Sequence, residues 1–164
     1  MHGLQRQIVE VLPRLRRLAR VLARDVADAD DLVQTTVERA LARQDQWRPG
    51  TRLDSWMFRI MKNAWIDESR ARSRRGRVFA PEEQGEVIGF DGAAAVQARL
   101  TARDVARAMA RLPEDQRLAI ALVLVEGLSY KEAAEVLEVP AGTLTSRLVR
   151  GRMALLADLE GDAA

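Results

Sequence analysis

The side chains best suited to chemistry in this sequence are hydroxyl and guanidinium groups near its carboxyl end. Ser129 and Glu132 stand three residues apart, a spacing typical of the capping box that opens a helix. Residues 139–143 predict a turn, and residues 143–159 predict a final helix. The side chains predicted to point outward from this helix are Thr145, Ser146, Val149, Arg150 and Arg152. Hydroxyls and arginines bind base edges and phosphates, and valine can contact a thymine methyl group, so this pattern favours a DNA-binding helix-turn-helix.

The apolar positions of the same segment predict two helices packed across a tight turn. Ala134 is small where the helices would cross, and Leu144 and Leu148 would anchor the second helix from beneath. Thr143, early in that helix, is suited to a phosphate near the positive end of the helix dipole. Glu138 occupies the turn position where glycine is common, and it tolerates a left-handed conformation poorly. The alternative is an ordinary helical hairpin with a solvated polar face.

Other kinds of chemistry are poorly represented. The chain has no cysteine, and its only histidine, His2, follows the first methionine, so we expect neither a disulfide nor a metal site nor a cofactor. No phosphate-binding loop or nucleophile–base pair is visible, so enzyme activity is not expected. The longest apolar run, residues 118–125, is less than half of the roughly 20 residues that a membrane span requires. With no signal peptide visible, we expect a cytoplasmic protein without membrane insertion or a small-molecule substrate.

The net charge of +2 conceals a strong asymmetry along the chain. Residues 1–79 hold 17 basic side chains against 10 acidic ones, whereas residues 80–97 hold four acids and no base. A basic first module suits a polyanionic partner, because neutralising phosphates supplies most of the sequence-independent affinity for nucleic acids. A solvated arginine-rich surface is the alternative explanation.

The periodicity of apolar residues in the first half predicts helices. Pro13 is predicted to separate a short helix, ending near Leu12, from a second one. The acids of residues 25–31 are predicted to cap the next helix. A long helix is predicted from Leu53, with Trp56 and Trp65 in its apolar stripe, after a loop at residues 47–51.

The second half is separated by a change of composition. Residues 78–97 contain a proline, three glycines and no sustained period, which predicts a flexible linker. Helical patterning resumes near Ala98, and the apolar run 118–125 is predicted to be a buried core helix that ends at Gly127. The sequence therefore predicts an all-α fold of two small domains, residues 1–77 and 98–164.

Four segments carry a resemblance to a known family. Residues 28–41, DADDLVQTTVERAL, resemble the segment by which sigma-70-type factors bind the largest subunit of RNA polymerase. Residues 54–67, DSWMFRIMKNAWID, followed by arginines, are similar to the −10 recognition helix of extracytoplasmic-function (ECF) sigma factors. Residues 112–117, LPEDQR, and 127–134, GLSYKEAA, resemble the start of their −35-binding domain. The order and separation of these segments identify the chain as resembling a minimal ECF sigma factor.

This resemblance implies a role for each domain, known in the family as sigma region 2 and region 4. The polymerase-binding face would consist of Asp30, Asp31, Leu32, Gln34, Thr35 and Glu38. The −10 DNA would contact Trp47, Arg59, Lys62, Asn63, Arg70, Arg74 and Arg75. The −35 DNA would contact Thr143, Thr145, Ser146, Arg147, Val149, Arg150 and Arg152. Thr35 stands where the family usually has an acidic residue, and Thr145 stands where many members have a basic residue.

The implied function is that of an alternative sigma factor in a stress or envelope response. Its partners would be core RNA polymerase, promoter DNA and an anti-sigma factor, and the free factor is expected to bind DNA weakly. Leu32 has a second interpretation as a core residue, and Trp47 is equally suited to base stacking or to packing. Two other functions stay open: a stand-alone helix-turn-helix regulator, which would bind duplex DNA by itself, and a decoy that binds an anti-sigma factor.

Overall fold

The computed structural model describes residues 2–23, 25–75 and 96–163, and within these ranges the chain is helical and contains no strand. The predicted all-α fold is confirmed. The helices are α1 (His2–Leu22), α2 (Val26–Ala42), α3 (Leu53–Arg75), α4 (Val96–Arg111), α5 (Glu114–Ile120), α6 (Tyr130–Leu137) and α7 (Ala141–Ala163). The predicted linker, 78–97, lies outside the described residues except at its end, where α4 has already begun.

Helices α1, α2 and α3 form the first domain because each has one apolar face. Leu15 and Leu18 of α1 pack with Met57, Phe58 and Met61 of α3, and all five are at most 1% exposed. Burying a side chain of this size contributes about 1.5–3 kcal/mol. The predicted acidic cap of α2 is confirmed, because the carboxylate of Asp25 accepts a hydrogen bond from the backbone N–H of Asp28.

Helix α1 does not end at Pro13, so the predicted break was wrong. The proline lies inside one continuous helix from His2 to Leu22. Leu4 and Ile8 before it, and Leu15 and Leu18 after it, are all buried in the same core. Proline in a helix costs about 3 kcal/mol. The burial of apolar residues on both sides of Pro13 offsets that cost.

The second domain contains a π-helical turn that the sequence pattern did not predict. Helix α5 leads into a π-helical turn, Ala121–Val125, and Gly127 then ends the element at a φ of +75°. Residues Leu118 to Leu122 are buried as predicted, but Leu124 and Val125 are 52% and 45% exposed. The prediction of a buried helix through Val125 was therefore wrong at its end, because the wider π-helical turn changes the angle between successive residues and places its own last residues on a different face.

Gly151 lets α7 cross closely over α5. A Cβ atom at this position would lie 2.8 Å from Cδ1 of Ile120, a distance that ordinary packing does not permit. Ile120 itself is 2% exposed and cannot move aside without disturbing its neighbours. The close approach fixes the position of α7, and with it the side chains on its outer face.

The helix-turn-helix is present, with one correction. Ser129 and Glu132 form the predicted capping box at the start of α6. Leu144 and Leu148 are at most 1% exposed, which confirms their predicted anchoring role. Helix α7 begins at Ala141, two residues before the predicted Thr143. Glu138 adopts the left-handed conformation that its turn position requires, with φ of 57° and ψ of 45°.

Candidate polymerase and promoter interfaces

The outer face of α2 carries the residues predicted to bind polymerase. Asp30, Asp31, Gln34 and Glu38 are exposed, and the side-chain amide of Gln34 donates to the carboxylate of Glu38 at 3.2 Å. Thr35 is half-buried, and Leu32 is only 6% exposed and belongs to the core. The face that a partner would meet is therefore polar and acidic, with Leu32 supporting it from below.

A groove of about 470 Å³ lies between this face and α3. Two ion pairs join its walls: Arg39 with Asp67 at 3.1 Å, and Arg72 with Asp28 at 2.6 Å. The indole of Trp65 lies at the groove and is 8% exposed. The sequence pattern did not predict the groove, because its two walls come from separate helices.

The residues predicted to contact −10 DNA lie in two different environments along α3. Arg70 and Arg74 are exposed near its end, and Arg75 ends the helix with a side chain outside the described part of the chain. Lys62 is only 6% exposed, and its amine lies 3.2 Å from a carboxylate oxygen of Glu138 in the second domain. The structure therefore does not gather the predicted −10 residues on one open surface.

The neighbours of Lys62 are engaged by the second domain as well. A guanidinium nitrogen of Arg59 donates to the backbone carbonyl of Glu135 at 3.3 Å, and Asn63 hydrogen-bonds the carboxylate of Glu138. The hydrogen bond from Lys62 is the main cause that lowers the pKa of Glu138 below its ordinary value. Glu138 is therefore a carboxylate at neutral pH.

Trp47 lies before α3 and packs against the core with its side chain half-buried. Its indole N–H is buried and has no partner among the described residues. The structure shows a packing role for Trp47. Its contact with a base of the −10 DNA stays a prediction.

The predicted −35 residues lie on the outer side of α7, in contrast to those of α3. Thr145, Val149, Arg150 and Arg152 are exposed, whereas Thr143, Ser146 and Arg147 are half-buried. The Thr145 hydroxyl donates to the carbonyl of Ala141 at 2.9 Å, and Arg147 lies 3.5 Å from Asp115. The exposed residues leave both arginines and an apolar side chain open to a partner.

Sequence reasoning missed a buried carboxylate that joins the two domains. The Glu126 side chain is 1% exposed and accepts hydrogen bonds from Arg14 at 3.1 Å and from Arg17 at 2.7 and 2.8 Å. Arg14 also reaches Asp54 at 2.5 Å. The available signal was a lone acid directly after an apolar run, but its partners lie more than a hundred residues away in the sequence.

Arg52 makes a second connection between the domains. It donates to both oxygens of Asp54 and also forms an ion pair with Glu132 of α6. Burial alone would raise the pKa of Asp54, but the hydrogen bonds from Arg52 and Arg14 outweigh burial and lower it. The pKa of Glu132 is lowered first by its capping hydrogen bond with Ser129 and then by Arg52. These groups are therefore charged at neutral pH and attract one another.

Comparison with known proteins identifies the family. The family model for the Sigma2 domain of PhyR matches residues 8–62, and the model for Sigma-70, region 4, matches residues 102–155. The ECF RNA polymerase sigma factor EcfG of Rhodopseudomonas palustris (strain TIE-1) is 36% identical over 99% of this chain and 88% of its own length. The chain belongs to the ECF RNA polymerase sigma factors.

Other relatives agree with this assignment. The ECF sigma factor SigM of Mycobacterium tuberculosis (strain ATCC 25618 / H37Rv) is 38% identical to this sigma factor over 87% of the chain and 69% of its own length. The sigma factor RpoE from Bartonella quintana, solved in complex with the anti-sigma factor NepR, matches with a TM-score of 0.86 at 31% identity and 98% coverage of both chains. The structure of CnrH with the cytosolic domain of CnrY matches with a TM-score of 0.69 at 28% identity, covering 96% of this chain and 90% of that one.

The family assignment confirms the resemblance that the sequence motifs indicated. As an alternative sigma factor, the protein directs transcription initiation by RNA polymerase. Among its described helices, none is long and apolar enough to span a membrane. Within the same ranges, no group of three or more metal-ligating side chains is present.

Proposed function

We propose that the first domain, residues 1–77, binds core polymerase and opens the −10 element, while the second domain, residues 98–164, reads the −35 element. The observation that carries this division is that α2 presents exposed acids whereas α7 presents exposed arginines. Acids suit the polymerase rather than DNA, because they would repel phosphates.

Polymerase binding is assigned to the outer face of α2. Asp30, Asp31, Gln34 and Glu38 offer carboxylate and amide groups to basic and polar side chains of the partner. Thr35 lies at the edge of the groove beside α3, and Leu32 holds the helix to its own core. Because Arg39 and Arg72 already pair with acids across the groove, the shape of this face is set before the partner arrives.

Opening of the −10 element is assigned to α3 and the loop before it. Asn63 offers a donor and an acceptor to a base edge, and Arg59 and Lys62 offer positive charge to the backbone of the melted strand. Extruding a base costs a few kcal/mol, which stacking and edge hydrogen bonds recover. The proposed stacking partner is Trp47, and Arg70, Arg74 and Arg75 would contact phosphates of the duplex upstream.

Reading of the −35 element is assigned to α7. Arg150, Ser146 and Val149 would contact base edges, and Arg147 and Arg152 would position the backbone. Thr143 and Thr145 lie in the first turn and a half of the helix, where a phosphate meets the positive end of the helix dipole. The 3.5 Å pair between Arg147 and Asp115 would exchange for a phosphate contact.

Regulation by an anti-sigma factor is part of the proposal. Its support is that the similar RpoE and CnrH were solved as complexes, with NepR and with the cytosolic domain of CnrY respectively. We place the protein in the cytoplasm because its proposed partners, the polymerase and promoter DNA, are there, and we assign it a stress or envelope response. The role is binding and selection, with no catalytic step.

A decoy for an anti-sigma factor is the second candidate, favoured by the match of residues 8–62 to the Sigma2 domain of PhyR. A run-off transcription assay with core polymerase and a genomic fragment library separates the candidates. Promoter-specific transcripts that depend on this chain are expected. Transcription that never depends on it, together with tight binding to an anti-sigma factor, would show the decoy. Tight duplex binding by the chain alone, without transcripts, would show a stand-alone regulator.

A further inference from the structure

We propose that the free sigma factor closes on itself through an acidic edge of the second domain, with Glu138 as the latch, and that closure masks the α3 surface assigned to −10 DNA. The acidic edge consists of Glu126, Glu132 and Glu138. The identity of the masked surface rests on the proposed function, whereas the closure itself rests on contacts between the two domains.

The charges at this boundary are sorted by domain. Every carboxylate of the acidic edge forms an ion pair with a basic side chain of the first domain. Glu126 pairs with Arg14 and Arg17, Glu132 pairs with Arg52, and Glu138 pairs with Lys62. Chance contact between two surfaces of mixed charge would place both signs on both sides. The sorting indicates complementary surfaces that attract each other.

These contacts cover side chains that the proposed function assigns to −10 DNA. Lys62 is 6% exposed and its amine lies 3.2 Å from a carboxylate oxygen of Glu138, and Asn63 bonds the same carboxylate. Arg59 is held by the carbonyl of Glu135. The carboxylate of Glu138 therefore takes the place that a phosphate of the melted strand would take. DNA and the second domain cannot occupy Lys62 together.

The conformation of Glu138 is the observation that singles it out as the latch. It has φ of +57°, a left-handed conformation that glycine adopts freely and other residues adopt with strain. Within the described ranges, the polar contacts of its carboxylate are with Lys62 and Asn63 of the first domain. A glycine would therefore suit the turn better, and glutamate adds only the bond between domains.

The chain has no cysteine, so a pair of spin labels can be placed cleanly on the full-length protein. Ala42→Cys at the end of α2 and Ala154→Cys on α7 are both exposed, one on each domain. Double electron–electron resonance spectroscopy measures the distribution of distances between these two labels, and therefore between the domains. A narrow distribution is expected for the parent chain. A broad distribution in the parent would overturn the proposal.

The latch variants are chosen to leave each domain folded. Glu138→Gly relieves the strained turn and removes the carboxylate, so its melting by circular dichroism should stay unchanged or rise while the distance distribution broadens. In the double variant Glu132→Gln/Glu138→Gln, glutamine keeps the capping box of α6 and removes the charge. Its control is Glu135→Gln/Glu160→Gln, which removes the same charge from exposed positions and should stay narrow. Equal distributions in both doubles would overturn the latch.

Masking is tested with a short fluorescent single-stranded DNA of mixed sequence. The Glu132→Gln/Glu138→Gln chain should bind it roughly fivefold more tightly than the control double, as expected when two partly exposed ion pairs stop competing with phosphates. The charge exchange Lys62→Glu/Glu138→Lys should return the distance distribution to a narrow one. It should not raise the affinity for the single-stranded DNA above that of the parent chain. If the exchange stays broad, the Glu138 contact does not hold the domains.

Binding of the same variants to core polymerase separates this proposal from the proposed function. If no variant binds polymerase, the proposed function fails, and the label distances still decide whether the chain closes. If all variants bind polymerase and the distances never respond to the latch, the proposed function stands and the latch is wrong.

Discussion

The two surfaces assigned to promoter DNA are in opposite states. On α7, Arg150 and Arg152 are exposed and ready to meet a duplex, whereas on α3 Lys62 is 6% exposed beneath Glu138. The difference follows from their neighbours: α7 turns its outer face away from the first domain, while α3 packs against α6. Under the proposed function, the second domain could meet DNA as it stands, whereas the first domain would first have to lose its contact with Glu138.

The largest expected effect comes from the buried end of the acidic edge. Glu126→Ala should weaken the association of the domains by roughly 2 kcal/mol, less than for a fully buried pair because Arg14 and Arg17 still reach water. We expect urea unfolding, followed by circular dichroism, to change from a single transition to two, as each domain unfolds by itself.

The matched control for this prediction is Glu135→Ala, which removes an exposed acid from the same domain. It should leave a single transition. A single transition in Glu126→Ala, displaced as a whole, would mean that the carboxylate stabilises its own domain rather than the boundary.

The exposed surface is probed by Arg150→Ala. Loss of one arginine at a base edge should weaken promoter binding by the polymerase complex by about 1–3 kcal/mol and relax the preference at one −35 base pair. Footprinting on a set of single-substitution promoters measures both. If Arg150 contacts only phosphate, the loss will be uniform across sequences. The domain distance should not change, because this residue lies away from the boundary.

Gly151→Ala sharpens the comparison by moving α7 alone. The added Cβ would lie 2.8 Å from Ile120, so the second domain should lose about 1 kcal/mol of stability as the side chain shifts. Gly142→Ala, in the first turn of the same helix with no atom within 4 Å of the new Cβ, is the control. It should be neutral or slightly stabilising, since alanine favours helices. Thermal melting of both variants measures the difference; equal melting temperatures would show that Ile120 adapts freely.

Features set by neighbours within a turn or two could be predicted from the sequence. The Asp25 cap, the capping box of Ser129 and Glu132, and the anchors Leu144 and Leu148 all follow from short spacings. The continuity of α1 through Pro13 could not be predicted, because it depends on the tertiary packing of both halves. The sequence motifs assigned residues to each interface, and those assignments stay predictions; the motifs did not show that Lys62 would be covered by the second domain.

The contacts between the two domains could not be predicted from the sequence for the same reason. Arg14 and Glu126 are 112 residues apart, and no local spacing pairs them. Glu138 was identified as an anomaly in its turn, and the structure supplies the missing partner, Lys62. A residue that fits its local conformation poorly is thus an indication of a contact that lies elsewhere in the chain.

The smallest expected effect is a dependence of closure on pH. The pKa of Glu138 is lowered in the closed form by Lys62, so its contribution to closure is complete above the ordinary glutamate pKa of about 4.3 and is lost as the pH falls through the lowered value. Glu132 adds less, because the largest cause of its lowered pKa is the capping bond with Ser129, which persists when the domains part. The label distances should therefore broaden on acidification below about pH 4.3.

Glu138→Gln separates this effect from general acid unfolding. Its distance distribution should already be broader at neutral pH and should change less on acidification, while circular dichroism follows the helices in both chains. Broadening that coincides with loss of helix would assign the effect to unfolding of the domains. A distribution that narrows with acid would contradict the sign of the linkage, because protonating Glu138 removes its attraction to Lys62 and leaves the covered surface of α3 free, like that of α7, to meet DNA.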